Sequence, residues 1–99
     1  MNKKALDSLR NILGKNKLLT LSTISNNQPH SNTAYYAYDK NFNLYVWSEK
    51  DTAHSRNILK NKKVAVNIFD SEQKWGSLLQ GVQAMGVAKP VSNKELIKA

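Results

Sequence analysis

Apolar and polar side chains alternate along five stretches of the chain, and two further stretches place their apolar residues at helical spacing. Between Asn2 and Leu13, Ala5, Leu9, Ile12 and Leu13 fall on one face with Leu6 at its margin, and Gly14 supplies a stop, which predicts an amphipathic helix. Strands are predicted over Lys17–Ser25 and His30–Tyr38, separated by the turn Ser25-Asn26-Asn27-Gln28-Pro29. In the second, Tyr36 and Tyr38 share a face and Tyr35 points to the other. The turn Asp39–Asn43 leads into a third strand, Leu44–Ser48, with Leu44, Val46 and Ser48 on one side and Tyr45 and Trp47 on the other. Val64, Val66 and Ile68 alternate with Ala65, Asn67 and Phe69 in a fourth. A polar loop, Asp70–Gly76, precedes a long fifth strand, Ser77–Ala88, in which Gly81 and Gly86 point to bulges or close backbone approach.

A short helix interrupts this run of strands after the third. Asp51 or Thr52 can cap it, Ile58 and Leu59 are its expected anchors, and Ala53, Arg56, Asn57 and Lys60 its exposed positions. Pro90 is expected to end the fifth strand, and Asn93–Ile97 reads as the first turn of a last helix capped by Ser92 or Asn93. Five strands joined mostly by hairpins make a small antiparallel barrel the expected architecture.

Composition narrows what such a barrel can do. A chain of 99 residues supports one domain, expected over 1–99. No apolar run approaches the ~20 residues of a membrane span, and no secretion signal opens the chain, so a soluble cytoplasmic protein without membrane partners is expected. There is no cysteine, and His30 and His54 are the only histidines, so no metal site is expected. His30, beside Pro29 at a strand start, reads as a surface or capping residue. No Gly-x-Ser-x-Gly elbow, dinucleotide fingerprint or P-loop is present, and no catalytic residue is assigned. The net charge of +8 raises the question of a polyanion, but its densest cluster, Lys60-Asn61-Lys62-Lys63, lies where cations favour the end of a helix.

The start of the short helix is the candidate site. A helix start points unpaired backbone N–H groups and a positive dipole end outward, which suits a phosphate. Thr52 adds a hydroxyl, His54 and Arg56 charge-assisted contacts, and Ser48 and Lys50 lie just before. The competing structural role is capping by Ser48 and Asp51 with Thr52 and His54 facing water, and the Asp51 carboxylate competes for the same N–H groups.

The order of these pieces, with the run SxxxTxHxxNIxxNxxVAV over Ser48–Val66 and GVQAMGVA over Gly81–Ala88, resembles the FMN-binding split-barrel superfamily of pyridoxamine 5′-phosphate oxidases, in particular its small general-stress-protein-like members. The resemblance spans about Leu18 to Glu95. It implies a mainly β split barrel, antiparallel and Greek-key-like with short helices, in a homodimer with FMN at the subunit interface. It places the flavin ring by Trp47 and Ser48 and the phosphate at Thr52. Ala53 and His54 then stand where pyridoxamine oxidases carry arginine and lysine, and Ser31 or Asn32 where many members carry a basic residue. Gln80 and Gln83 of the partner chain are expected at the interface, with a small-molecule electron donor or acceptor as substrate. Members commonly continue with a barrel-closing strand beyond the helix near Asn93, so a C-terminally short barrel with an open edge is expected, covered by the partner.

Two alternatives stay open. A basic five-stranded barrel can bind nucleic acid as an OB-fold does, stacking bases on Tyr35, Tyr36, Tyr45 or Trp47, although segment order ranks this below FMN. A split-barrel relative using haem, a deazaflavin or no cofactor also fits the depleted phosphate grip. For Trp47, Trp75, Tyr35, Tyr36 and Tyr38 taken singly, barrel core is the default expectation.

Overall fold

The computed structural model describes residues 2–49, 51–91 and 94–98, with side chains through Val91. Helix α1 (Lys3–Lys15) precedes strands β1 (Leu18–Ser25), β2 (Gln28–Tyr38) and β3 (Leu44–Trp47). Helix α2 (Ala53–Lys60) follows, then β4 (Lys63–Phe69), β5 (Gly81–Val91) and β6 (Lys94–Lys98). All pairings are antiparallel, and the strands close into a barrel in the order β1-β2-β3-β6-β5-β4, with β4 returning to β1.

Local chemistry accounts for the hairpins. Asn26 and Asn27 both take positive φ, 52° and 61°, between the paired residues Ser25 and Gln28. A two-residue turn of this kind matches the strand twist, and asparagine tolerates it better than other side chains. The β2–β3 turn is organised by Asp39, whose Oδ1 accepts from the N–H groups of Asn41 and Asn43 at 2.9 and 3.0 Å. Its Oδ2 accepts from Asn43 Nδ2 at 3.0 Å and from the Tyr45 hydroxyl at 3.1 Å.

The inward residues of β1, β3 and β4 make the core: Leu19, Leu21, Leu44, Val46, Val64, Val66 and Ile68, joined by Leu13, Ile58 and Ala88. Fully burying a side chain of this size contributes roughly 1.5–3 kcal/mol. Helix α1 is capped by Asn2, whose Oδ1 accepts from the Ala5 N–H at 2.8 Å, and the Tyr36 hydroxyl donates to the Leu13 carbonyl at 2.8 Å near its end. Helix α2 packs mainly on β1, burying Ile58, while Asn57 Nδ2 donates to the buried Thr23 Oγ1 at 3.0 Å.

Several expectations are corrected. Lys94–Lys98 is a strand, not a helical turn: it pairs with β3 on one side and β5 on the other, so the expected open edge is filled. A turn of so few residues is a costly helix nucleus, whereas two waiting strand edges satisfy its backbone on both sides. Pro90 lies within β5 opposite Glu95, its fixed φ being compatible with extended chain. Ser77–Gln80 is not strand, because the Gln73 side chain takes the place of a strand partner. Its Nε2 donates to the Gln80 carbonyl and its Oε1 accepts from the Gln80 N–H, both at 2.7 Å. The β4–β5 ladder runs without a bulge from Gly81 to Val87, and Gly81 serves close approach: a Cβ there would lie 2.9 Å from the Ile68 carbonyl oxygen. Gly14 falls within α1 and does not stop it. Leu59 is exposed and leaves Ile58 as the anchor of α2, and Tyr35, Trp47 and Trp75 are exposed as well. Alternation assigns Tyr35 and Trp47 to the outer face, and Trp75 lies in the β4–β5 loop.

Candidate functional site

The segment from Ser48 to Arg56 folds around one carbonyl. Thr52 is the N-cap of α2, and its Oγ1 accepts from the Ser55 N–H at 3.4 Å. The Thr52 N–H approaches the Glu49 carbonyl oxygen at 3.3 Å, and the Thr52 and Ser55 hydroxyls approach the same oxygen at 2.9 and 2.8 Å. Ser55 Oγ is also 2.8 Å from Thr52 Oγ1 and 3.0 Å from Ser48 Oγ, which ties the end of β3 to the first turn of α2. His54 is 9% exposed, with Nε2 3.3 Å from Thr52 Oγ1. The Arg56 guanidinium donates to the Asp51 carbonyl. The helix start is therefore capped by Thr52, and His54 lies inside rather than facing water. Lys50 is outside the described residues.

Beside this segment, three adjoining strands present apolar side chains outward. Leu18 pairs in register with Tyr35, and continuing the Tyr36–Val46 register by one residue sets Tyr35 opposite Trp47. These three are 47%, 70% and 62% exposed. Water is a poor neighbour for such a row, and a planar ring laid along it is a good one. On the inner face of β2, Asn32 Oδ1 and His30 Nδ1 are buried with no hydrogen-bond partner among the described residues. Buried polar atoms of this kind are satisfied by water, by a bound molecule or by groups outside the described residues. His30 is thus half-buried, not a plain surface residue.

Ser48, Thr52 and His54 are joined by hydrogen bonds, Trp47 adjoins Ser48 in the chain, and Asn32 lies on the inner face of β2. Gln80 and Gln83 lie elsewhere, on the β4–β5 side. They line a recess of about 590 Å³ with Asn67, Phe69, Trp75 and Leu79. Gln83 stands opposite Asn67 in the β4–β5 register. Ser55 and Tyr35 belong to the site but are not among the residues expected to hold a cofactor. Ser55 follows Thr52 by three positions, the spacing at which a cap meets the first helical turn, and that spacing is a usable signal. Among the described residues no cluster of metal-ligating side chains occurs, and no helix is long and apolar enough to cross a membrane.

A flavin mononucleotide fits two of these features: the outward row suits its ring, and the α2 start offers first-turn backbone N–H groups to its phosphate, whereas the buried acceptors of β2 face the barrel interior.

Residues 5–99 match the family model described as Pyridoxamine 5′-phosphate oxidase. A UPF0306 protein of Pasteurella multocida (strain Pm70) is 34% identical over 87 residues, covering 87% of this chain and 55% of that protein. The chain thus spans about half the length of this curated relative. Among solved structures, the haem storage protein HutZ of Vibrio cholerae superposes with a TM-score of 0.74 at 19% identity, covering 87% of this chain and 62% of that one. An F420 reductase superposes with a TM-score of 0.70 at 16% identity, covering 89% and 88%. At such identities these likenesses establish the split-barrel fold alone.

Proposed function

The chain belongs to the pyridoxamine 5′-phosphate oxidase family, and from that premise we propose that it binds FMN and passes reducing equivalents between the flavin and a small molecule. The observation that carries this reading is the exposed row Leu18, Tyr35 and Trp47, which ends beside the α2 start. The flavin ring lies along Tyr35 and Trp47, with Ser48 at its edge and its phosphate end toward Thr52, Ala53 and His54. A flavin supplies two-electron and one-electron redox chemistry when bound, and the chain supplies orientation and exclusion of water. Trp47 shields one face of the ring, and the Ser48, Thr52 and Ser55 hydroxyls hold the first turn of α2 in place beneath the tail.

The site is completed in a homodimer, with Gln80 and Gln83 of a second copy facing the ring. Support comes from the amide-rich recess around them and from Trp75, Leu78 and Leu79, which are exposed in the single chain. A haem or a deazaflavin on the same shelf is the competing reading, favoured by the names of the two solved neighbours. A nucleic-acid role is not favoured: segment order and fold both lead to the split barrel.

Titration of the purified protein with FMN, followed by flavin absorbance and fluorescence, tests the proposal. Saturable binding is expected, with Trp47→Ala weakening it about tenfold or more, because stacking a ring on an aromatic contributes roughly 1–3 kcal/mol. Absence of saturable FMN binding, or a Soret band on adding haem with no flavin response, rejects it. Sedimentation showing only monomer at micromolar concentration rejects the dimer.

A further inference from the structure

We infer that a second copy of the chain docks on the outward face of β1, β2, β4 and β5, with Met85 of each copy seated in a hollow over Ser22 and Ala65 of the other. This rests on the homodimer of the reading above and names the surface on which it forms.

Register assembles the face. Ala65 pairs with Met85 on one side and with Ser22 on the other, and Ser22 pairs with Ser31, so these four form one row across four strands. The next row is Gln83, Asn67, Thr20 and Thr33. Leu18 and Tyr35 of the flavin shelf lie two residues beyond Thr20 and Thr33 on the same side, so the docked copy ends beside the shelf. The chain carries 15 basic and 7 acidic residues, yet the only charged residues on these four strands are Lys63 and Lys89, both toward one end. Two copies at +8 each repel over most of their surface and meet here without bringing cations face to face in the two central rows.

Shape names the occupant. Met85 is 82% exposed and borders two shallow hollows, of about 400 and 360 Å³, both floored by Ser22 and Ala65. The Ser22 and Ser31 hydroxyls bond one another at 3.2 Å, so a thioether covers them without stranding a polar group. An unbranched thioether also adapts to an irregular floor. Knob and hollow stand side by side on adjoining strands, and a two-fold axis passing between them sets each knob over the other copy's hollow, the self-complementary contact of a closed dimer. Strands spaced by roughly 4.8 Å and rising roughly 3.3 Å per residue make this face about 19 by 23 Å over the seven residues of β4. The exposed Trp75 and Leu79, which line the recess with Gln83, extend it toward the roughly 800 Å² per partner of a stable interface.

Sedimentation and FMN titration of the wild type, Met85→Lys and Ala65→Phe, each checked for folding by circular dichroism, test this. The wild type is expected to be a dimer at micromolar concentration and Met85→Lys a monomer, because the lysine sets a cation into each hollow. Ala65→Phe keeps the face apolar but fills the hollow, and is expected to weaken the dimer tenfold or more. A merely adhesive apolar face would instead tighten with phenylalanine. Unchanged or tighter dimerisation of Ala65→Phe, or a dimer that survives Met85→Lys, overturns the inference, and where Ala65→Phe fails to fold, Met85→Lys decides alone. A dimer that resists both changes and binds FMN overturns this inference and leaves the flavin reading intact. One broken by both changes in a protein that binds no FMN upholds this inference and removes that reading. A wild type that stays monomeric overturns the inference together with the homodimer.

Discussion

Asn57 Nδ2 donates to Thr23 Oγ1 at 3.0 Å, the bond by which α2 is fixed to the inner face of β1. Thr23 is buried, so its hydroxyl has little access to water as a substitute partner. Asn57→Ala is therefore expected to destabilise the protein by about 1–3 kcal/mol, the cost of an orphaned buried polar group. Thr23→Val in the same background removes the orphan and is expected to restore part of the loss. Urea denaturation of the wild type and the two variants checks this, and equal stability of single and double variants would contradict it.

Thr52 caps α2 through the Ser55 N–H. Thr52→Ala is expected to cost ~1 kcal/mol and Thr52→Ser far less, because serine keeps the accepting oxygen. In a domain of this size that difference lowers Tm by roughly 4–8 °C, which a thermal melt resolves.

Asp39 gathers hydrogen bonds in the β2–β3 turn, and the bond from the Asn43 side chain, followed by those from the backbone, holds its carboxyl below the usual range. Folding thus favours the carboxylate, so its contribution is present above the ordinary aspartate value near ~4 and disappears as pH falls through the lowered folded value. Asp39→Asn is expected to lose stability at neutral pH and to flatten the acid limb of the stability profile. Melts between neutral and strongly acid pH that run parallel for both proteins would refute the assignment.

Tyr36 behaves in the opposite sense. Burial, with the neighbouring Tyr38 adding to it, pushes its hydroxyl above the ordinary tyrosine value, and that hydroxyl donates to the Leu13 carbonyl. Folding favours the neutral phenol, so this contribution is complete below ~10 and declines as pH rises through the raised folded value. Tyr36→Phe is expected to cost roughly 0.5–1.5 kcal/mol at neutral pH and to reduce the alkaline loss. Ultraviolet titration of the phenols, alongside urea denaturation at neutral and alkaline pH, measures both.

Much of this architecture was legible in the alternation of side chains. Leu44 and Val46 against Tyr45 and Trp47, and Val64, Val66 and Ile68 against Ala65 and Asn67, take the faces their spacing dictates. Thr52 at a helix start was legible from capping chemistry. The last strand was not, since Asn93-Lys94-Glu95 carries a local helix-start signal that pairing with β3 and β5 overrides. Nor was the full exposure of Trp75, because hydrophobicity predicts burial without saying which loop residue is the exception. The carbonyl hub at Glu49 was hidden for another reason: a backbone acceptor has no side-chain signature.

The place of β6 also sets an order of events in biosynthesis. It is translated after both strands it joins, and Leu44 must wait for Ile97 before its edge is covered. During that interval β1, β2 and β3 can form hairpins on the emerging chain, while the outer edges of β3 and β5 remain open to other chains. Ring closure is thus a late, non-local step, and it is the interval before it, more than the finished barrel, that exposes this protein to mispairing and gives a chaperone something to hold.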